Sequence, residues 1–294
     1  MVPQVASRRP ARRAGQPRAG RRPRRAGTPF TYLAIVVIVG VTVVPLLFVL
    51  AGGFRTTAQI NDSPAGLPHP WVLDNYRTIA TDGMFWRFLG NSALVAVVAT
   101  AVAVGLGSMA AFALSRYDFR GREAIYTLFT LGLLFPLGVA SLPLYLQLRR
   151  MGLLETWYGV AIPEAAFALP ITIVILRPFM RAIPGELEDA AVVDGASRLG
   201  FFWRILLPLS MPALTTVAIL AFVTSWNTYL LPLLVFSDPQ HFTLPLGVAT
   251  FQSEHSEDTA RILAFTALSM VPALTFFVLA ERRIVGGLTG SVKG

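Results

Sequence analysis

The chain contains no cysteine, which excludes disulfides, thiolate nucleophiles and thiolate metal sites together. Lysine is almost missing as well, with Lys293 the one example among 25 basic residues. A phosphate-binding P-loop needs Gly-Lys-Ser/Thr opening a helix, so the chain does not bind ATP in that way. The three histidines, His69, His241 and His255, lie too far apart in sequence for a metal-ligand spacing, and no metal site is expected. Charge is scarce too. Charged residues make up 14% of the chain, against about 25% in an ordinary globular domain. Hydrophobic residues make up 54%, and the mean hydropathy is +0.60. Such a chain suits lipid better than water.

What charge there is has a strong bias of sign and place. The net charge is +9, and nine arginines fall within the first 25 positions: Arg8, Arg9, Arg12, Arg13, Arg18, Arg21, Arg22, Arg24 and Arg25. Residues 1–28, rich in Arg, Pro, Gly and Ala, cannot bury a core and are expected to be disordered. The tail reads as a cytoplasmic topology anchor that also touches anionic lipid, in preference to a nucleic-acid arm. The apolar run that follows is far longer than the apolar core of a cleaved signal, about 7–15 residues.

A membrane crossing takes about 20 apolar residues. Runs of that kind predict six spans, near 30–53, 88–114, 124–148, 157–177, 209–236 and 262–280, within a permease domain of residues 29–283 followed by a tail of 284–294. The fourth contains one ionisable group, Glu164. Prolines inside the runs, among them Pro45, Pro136, Pro143, Pro163, Pro170, Pro232 and Pro272, predict kinked helices whose freed backbone groups neighbouring helices can satisfy. With both termini placed in the cytoplasm, all but six of the 25 basic residues fall inside, as the positive-inside rule requires. Arg149 and Arg150 run locally against it.

Between the fourth and fifth spans, residues 182–208 form the most informative segment. Pro184-Gly-Glu186-Leu-Glu188-Asp189-Ala190-Ala191-Val-Val-Asp194-Gly195 reads as a short helix. Pro184 fits its first turn, and Glu186, Glu188 and Asp189 complement its positive end. Gly195 suits a left-handed stop. Leu187, Ala190 and Ala191 are expected to share one face, where the small alanines let another surface approach. A second amphipathic stretch, Phe201, Phe202, Trp203, Ile205 and Leu206 with Arg198 and Arg204, precedes Pro208 and Pro212. Together they predict a compact knob for docking a soluble partner.

The spacing Asp189-Ala190-Ala191, Gly195, then Ile205-x-Leu207-Pro208 resembles the loop of ABC-importer permeases, with Asp189 where that family usually has Glu. A second Glu164-Ala165-Ala166 does not qualify, because Pro170 stands where the glycine belongs. The wider phrase Glu186–Ser197, with Pro143-Leu-Tyr-Leu146, Trp226-Asn227, Leu244-Pro-Leu-Gly247 and the terminal Gly287–Gly294, is similar to the carbohydrate-uptake, maltose-type branch. This resemblance implies an all-α integral membrane protein with six transmembrane helices in the ABC type I importer permease fold, in a bacterial plasma membrane. It implies a transport subunit with no ATPase site and no cofactor of its own. Its partners would be a second permease in a heterodimer, two ATPase subunits that bind ATP, and an extracytoplasmic sugar-binding protein.

For the sugar path, aromatic and hydrogen-bonding residues in the fifth span, Trp226, Asn227 and Tyr229, are candidates, as is Glu164. Against these stand packing or interfacial anchoring for the aromatics, a cross-helix bond for Asn227 and a structural hydrogen bond for Glu164. A rival of another class, an ion-coupled secondary transporter, needs more ion ligands than Glu164 and leaves the knob unused. An enzyme is not expected, because no nucleophile, base and orienting group assemble from the spans.

Overall fold

The computed structural model describes residues 29–251 and 258–290, the side chains of 279–290 excepted. The arginine-rich tail, His255 and residues 291–294 lie outside the described residues. The chain divides at Pro45 into two compact units. Of the first, residues 29–45 form the apolar leading part of helix α1 (Pro29–Gly52).

In the second unit α2 (Thr57–Asp62) and α3 (Asp74–Thr81) lead into the long α4 (Gly83–Arg116). Then come α5 (Arg122–Gly132), α6 (Leu137–Arg150), α7 (Trp157–Ala182) and α8 (Glu186–Val193). A short α9 (Arg198–Phe201), a π turn (Phe202–Leu206) and α10 (Leu207–Leu209) lead to α11 (Met211–Asn227). The remainder is α12 (Leu230–Val235), α13 (Leu244–Gly247) and α14 (Thr259–Gly290). No strand occurs among the described residues. Among the described residues four helices are long and apolar enough to cross a membrane, and six if each of two bent pairs counts as one span: α5 with α6, and Arg198–Leu209 with α11, the latter bent by 79° at Ser210.

The frame is α4 packed along α7. Ala99, Ala103, Gly107 and Ala111 recur every four residues, so they form one buried stripe on α4. A Cβ on Gly107 would lie 2.5 Å from Thr172 Cγ2 of α7, and nothing larger than glycine fits that crossing. Small residues substitute here for the hydrophobic drive that lipid does not supply. Polar side chains start the helices: Asp82 accepts from Met84 N at 2.9 Å and Thr156 from Gly159 N at 3.1 Å.

Two of the expected spans differ from continuous helices. Residues 124–148 divide into α5 and α6, which meet at 99° across Leu133–Pro136. Pro136 donates no hydrogen bond and biases the residue before it away from helix, so the turn stops there. The fifth span breaks at Thr228, whose backbone is extended, because Pro232 cannot donate to the Thr228 carbonyl. In the other direction, α14 continues through 284–290 where a separate tail is expected. Arg149 and Arg150 occupy the last turn of α6, where cations complement the negative helix end. That placement gives the pair a local reason that charge asymmetry lacks.

Beyond α1 the chain folds back on itself through Arg55, which is 2% exposed. Its guanidinium donates to the carbonyls of Gln59, Ser63 and Pro64. Residues 55–72 are thus wrapped around a charge. Farther along, Leu244 is buried and Gly247 lies against Phe88, where a Cβ would come within 2.5 Å of the ring.

Candidate functional site: a docking knob and a cavity between broken helices

The knob is built residue by residue from the 186–208 segment. Glu186, Glu188 and Asp189 fill the first turn of α8, and Pro184 stands just ahead of the helix instead of inside it. At the far end Gly195 has φ +81°, with Gly195 N donating to Val192 O at 3.0 Å and Ala196 N to Ala191 O at 2.8 Å. This pair of bonds is the Schellman stop, and it needs the left-handed residue. A Cβ on Gly195 would meet no neighbour, so the requirement lies in the backbone and not in space. Ser197 then caps the next helix by accepting from Gly200 N at 3.1 Å. Before Pro208, which cannot donate to the Arg204 carbonyl, the helix widens into the π turn.

One cluster welds this segment to the spans. Ala191, Phe201, Phe202 and Leu206 pack with Phe112 of α4, Leu176 and Met180 of α7, and Leu214 of α11; Ile205 and Leu207 are half-buried against them. The expected common face of Leu187, Ala190 and Ala191 therefore splits. Successive helical residues are about 100° apart, so Ala191 turns inward at 5% exposed while Ala190 points away; Leu187, one turn before Ala191, also stays exposed. Val192, Val193, Leu199 and Trp203 are also exposed, as are Glu186, Asp189, Asp194, Gly195 and Pro208. The outer surface is apolar with acidic edges.

Sequence reasoning missed the arginines that hold the knob. Arg116, the last residue of α4, donates to Met180 O at 3.0 Å and Ile183 O at 2.9 Å, satisfying carbonyls at the end of α7. It lies 4.0 Å from Glu188 of α8 and over the Phe201 ring at 5.9 Å. Arg177 of α7 is 6% exposed, donates to Leu114 O at 3.0 Å, pairs with Glu123 of α5 and covers the Tyr126 ring at 4.0 Å. Arg198 lies over Tyr117 at 4.9 Å. The hydrogen bond from Arg177 holds the Glu123 carboxyl below its ordinary value, while burial pushes the Tyr117 phenol up. In sequence these arginines look like topology charges; the clue to more was Arg177, which continues the apolar run of α7.

Toward the other end of α7, Glu164 lines a cavity of about 380 Å3. Phe167, Ala168 and Ile171 of α7 share it with Leu220, Ala221, Thr224, Ser225 and Thr228 of the fifth span. Leu137 enters just after the α5–α6 break, and Thr228 and Leu231 flank the α11–α12 break. Irregular backbone at span depth is tolerated where it lines a cavity. Ser225 donates to Glu164 Oε2, and Oε1 is buried without a partner. The structural hydrogen bond weighed for Glu164 is thus present for one oxygen, while the other stays unused.

The remaining path candidates are not brought to this cavity. Trp226, 5% exposed and stacked on Phe222, lines with Asn227 a second cavity of about 310 Å3 beside α13 and α14. Asn227 donates to Val223 O of its own helix at 2.7 Å, not across helices. Tyr229 is 46% exposed and lines neither. Thr224 and Phe167 went unnoticed; Phe167 lies three residues from Glu164 and so on its face.

Apolar spans broken around a polar-edged cavity, with a capped knob between two of them, define a polytopic membrane permease. The chain belongs to the family described as binding-protein-dependent transport system inner membrane component, which matches residues 103–284. It is 36% identical over 251 residues to the diacetylchitobiose uptake system permease protein NgcG of Streptomyces coelicolor, covering 85% of this chain and 83% of that one. The trehalose transport system permease protein SugB of Mycobacterium tuberculosis is 36% identical, covering 90% and 98%. In fold it is similar to a bacterial ABC transporter involved in the import of the acidic polysaccharide alginate. The TM-score is 0.74 at 20% identity, covering 86% of this chain and 94% of that one. The chain is therefore a multi-pass inner-membrane permease subunit of a binding-protein-dependent importer.

Proposed function

We propose that the chain imports a saccharide, with the knob as its coupling surface and the Glu164 cavity on its translocation path. The observation that carries the coupling reading is the outer face of α8: Leu187, Ala190 and Val193 exposed between Glu186, Asp189 and Asp194 on a helix anchored from beneath. Such a face suits a groove on a soluble ATPase, which binds the ATP that this chain does not. Two such ATPases and a second, different permease complete the complex, and an extracytoplasmic binding protein delivers the sugar. The curated relatives, named for diacetylchitobiose and trehalose uptake, support a saccharide as cargo. Their substrates are not assigned to this chain. The bias of basic residues supports both termini and the knob in the cytoplasm, with the arginine-rich tail against anionic lipid.

The test is co-purification from the native membrane in mild detergent with a tag at the N-terminus. Recovery of an ATPase and a second permease, with the ATPase lost from a Leu187→Asp/Val193→Asp variant, is the expected outcome. Recovery of the chain alone, even after crosslinking, would refute the docking surface.

A further inference from the structure

The cavity carries information about its cargo that the fold does not. Glu164 is the only ionisable side chain among its described lining residues; no Arg, Lys or His faces it. Ser225 satisfies one carboxylate oxygen, while Oε1 is buried with no donor. An ionised carboxylate only accepts hydrogen bonds, so the charge that Glu164 brings to this wall favours a ligand that donates. Thr224, Ser225 and Thr228 add hydroxyls, and Phe167, Ile171 and Leu220 offer apolar wall. A sugar ring has both features, hydroxyl donors at its rim and C–H groups on its faces. The volume, about 380 Å3, falls within the usual range for small-ligand sites, roughly 300–1,000 Å3.

A carboxylated or sulfated sugar would bring a like charge beside Glu164, in a largely apolar space with no cation among its described lining residues to neutralise it. We infer that the cavity is a charge filter, passing neutral or cationic saccharides and refusing anionic ones, with Glu164 as the discriminating residue. The inference rests on the cavity being part of the path. It also separates charge class from fold, since the structurally similar alginate importer handles an acidic polysaccharide.

The absence of cysteine allows a direct measurement. Thr224→Cys places one thiol in the cavity, and Thr228→Cys provides a second reporter should the first fold poorly. In membrane vesicles holding the whole transporter at pH 8, each variant is treated with methanethiosulfonate ethyltrimethylammonium or the matching ethylsulfonate. Modification is read as a mass shift of this subunit alone, with each rate normalised to that of a free thiol. The cationic reagent is expected to react at least about tenfold faster than the anionic one, the scale of a single charge at close range. Adding Glu164→Gln should bring the ratio near one. A ratio near one with Glu164 present, or a ratio indifferent to Glu164→Gln, overturns the filter but leaves the path. Silence toward both reagents at both positions overturns the path and the filter with it.

Discussion

The two ends of the α4–α7 frame hold charge in opposite ways. At the knob, Arg116 and Arg177 are nearly buried, yet each spreads its guanidinium over helix-end carbonyls, an acid and an aromatic ring. At the cavity, Glu164 is held by one serine, and its other oxygen is buried without a partner. Burial of charge is common to both; the number of partners is not. A charge bonded to several elements ties them together, whereas one held by a single hydrogen bond carries no such tie.

The comparison breaks most visibly at the knob. Arg116→Ala leaves two carbonyls at the end of α7 and the Glu188 carboxylate without their partner. It should cost about 2–6 kcal/mol, at about 1–3 kcal/mol for each of the two orphaned carbonyls. The measurement is thermal unfolding of the detergent-solubilised complex; an unchanged midpoint would remove Arg116 from its place as a tie. Gly195→Ala should cost about 1–2 kcal/mol for a left-handed non-glycine residue. It should also weaken ATPase retention on the column while leaving the insertion of the spans intact. Ser197→Ala should cost about 1 kcal/mol through its lost cap, with rescue by Ser197→Asp.

The cavity end should respond with the other sign. Glu164→Gln removes a poorly compensated charge, so stability should stay within about 1 kcal/mol of the parent or rise. Uptake of the cognate sugar should nonetheless fall, and a stability loss as large as that of Arg116→Ala would erase the contrast. The smallest effect concerns pH. The Arg177 hydrogen bond lowers the Glu123 pKa in the folded state, so its stabilising share is present above the ordinary value of 4.5. It is lost only as pH falls further, through the depressed folded value. Because Glu123 is well exposed, the acid midpoint of Glu123→Gln should differ only slightly from that of the parent.

The helical class and the knob were legible in the residues because both rest on local rules. Apolar runs of span length and a glycine that can turn left-handed leave marks at short range. What could not be read depends on partners distant in sequence. Nothing near Arg116 announces Met180 and Ile183, and nothing near Glu164 announces Ser225. The split of Ala190 from Ala191 was within reach of helical periodicity, but not which of the two would face Phe201. Trp226 and Asn227 stand next to Ser225 in sequence, yet the turn of the helix sends them to another cavity.

The glycine and alanine stripe on α4 has a mechanical consequence. With Gly107 against Thr172 there is no slack at that crossing, so α4 and α7 have little freedom to slide or roll against each other. Any stroke the transporter makes must then be taken up where the chain has already surrendered its helical stiffness, at Pro136, at Ser210 and at Thr228. The first and last of these joints flank the same chamber, so its shape changes whenever either one flexes.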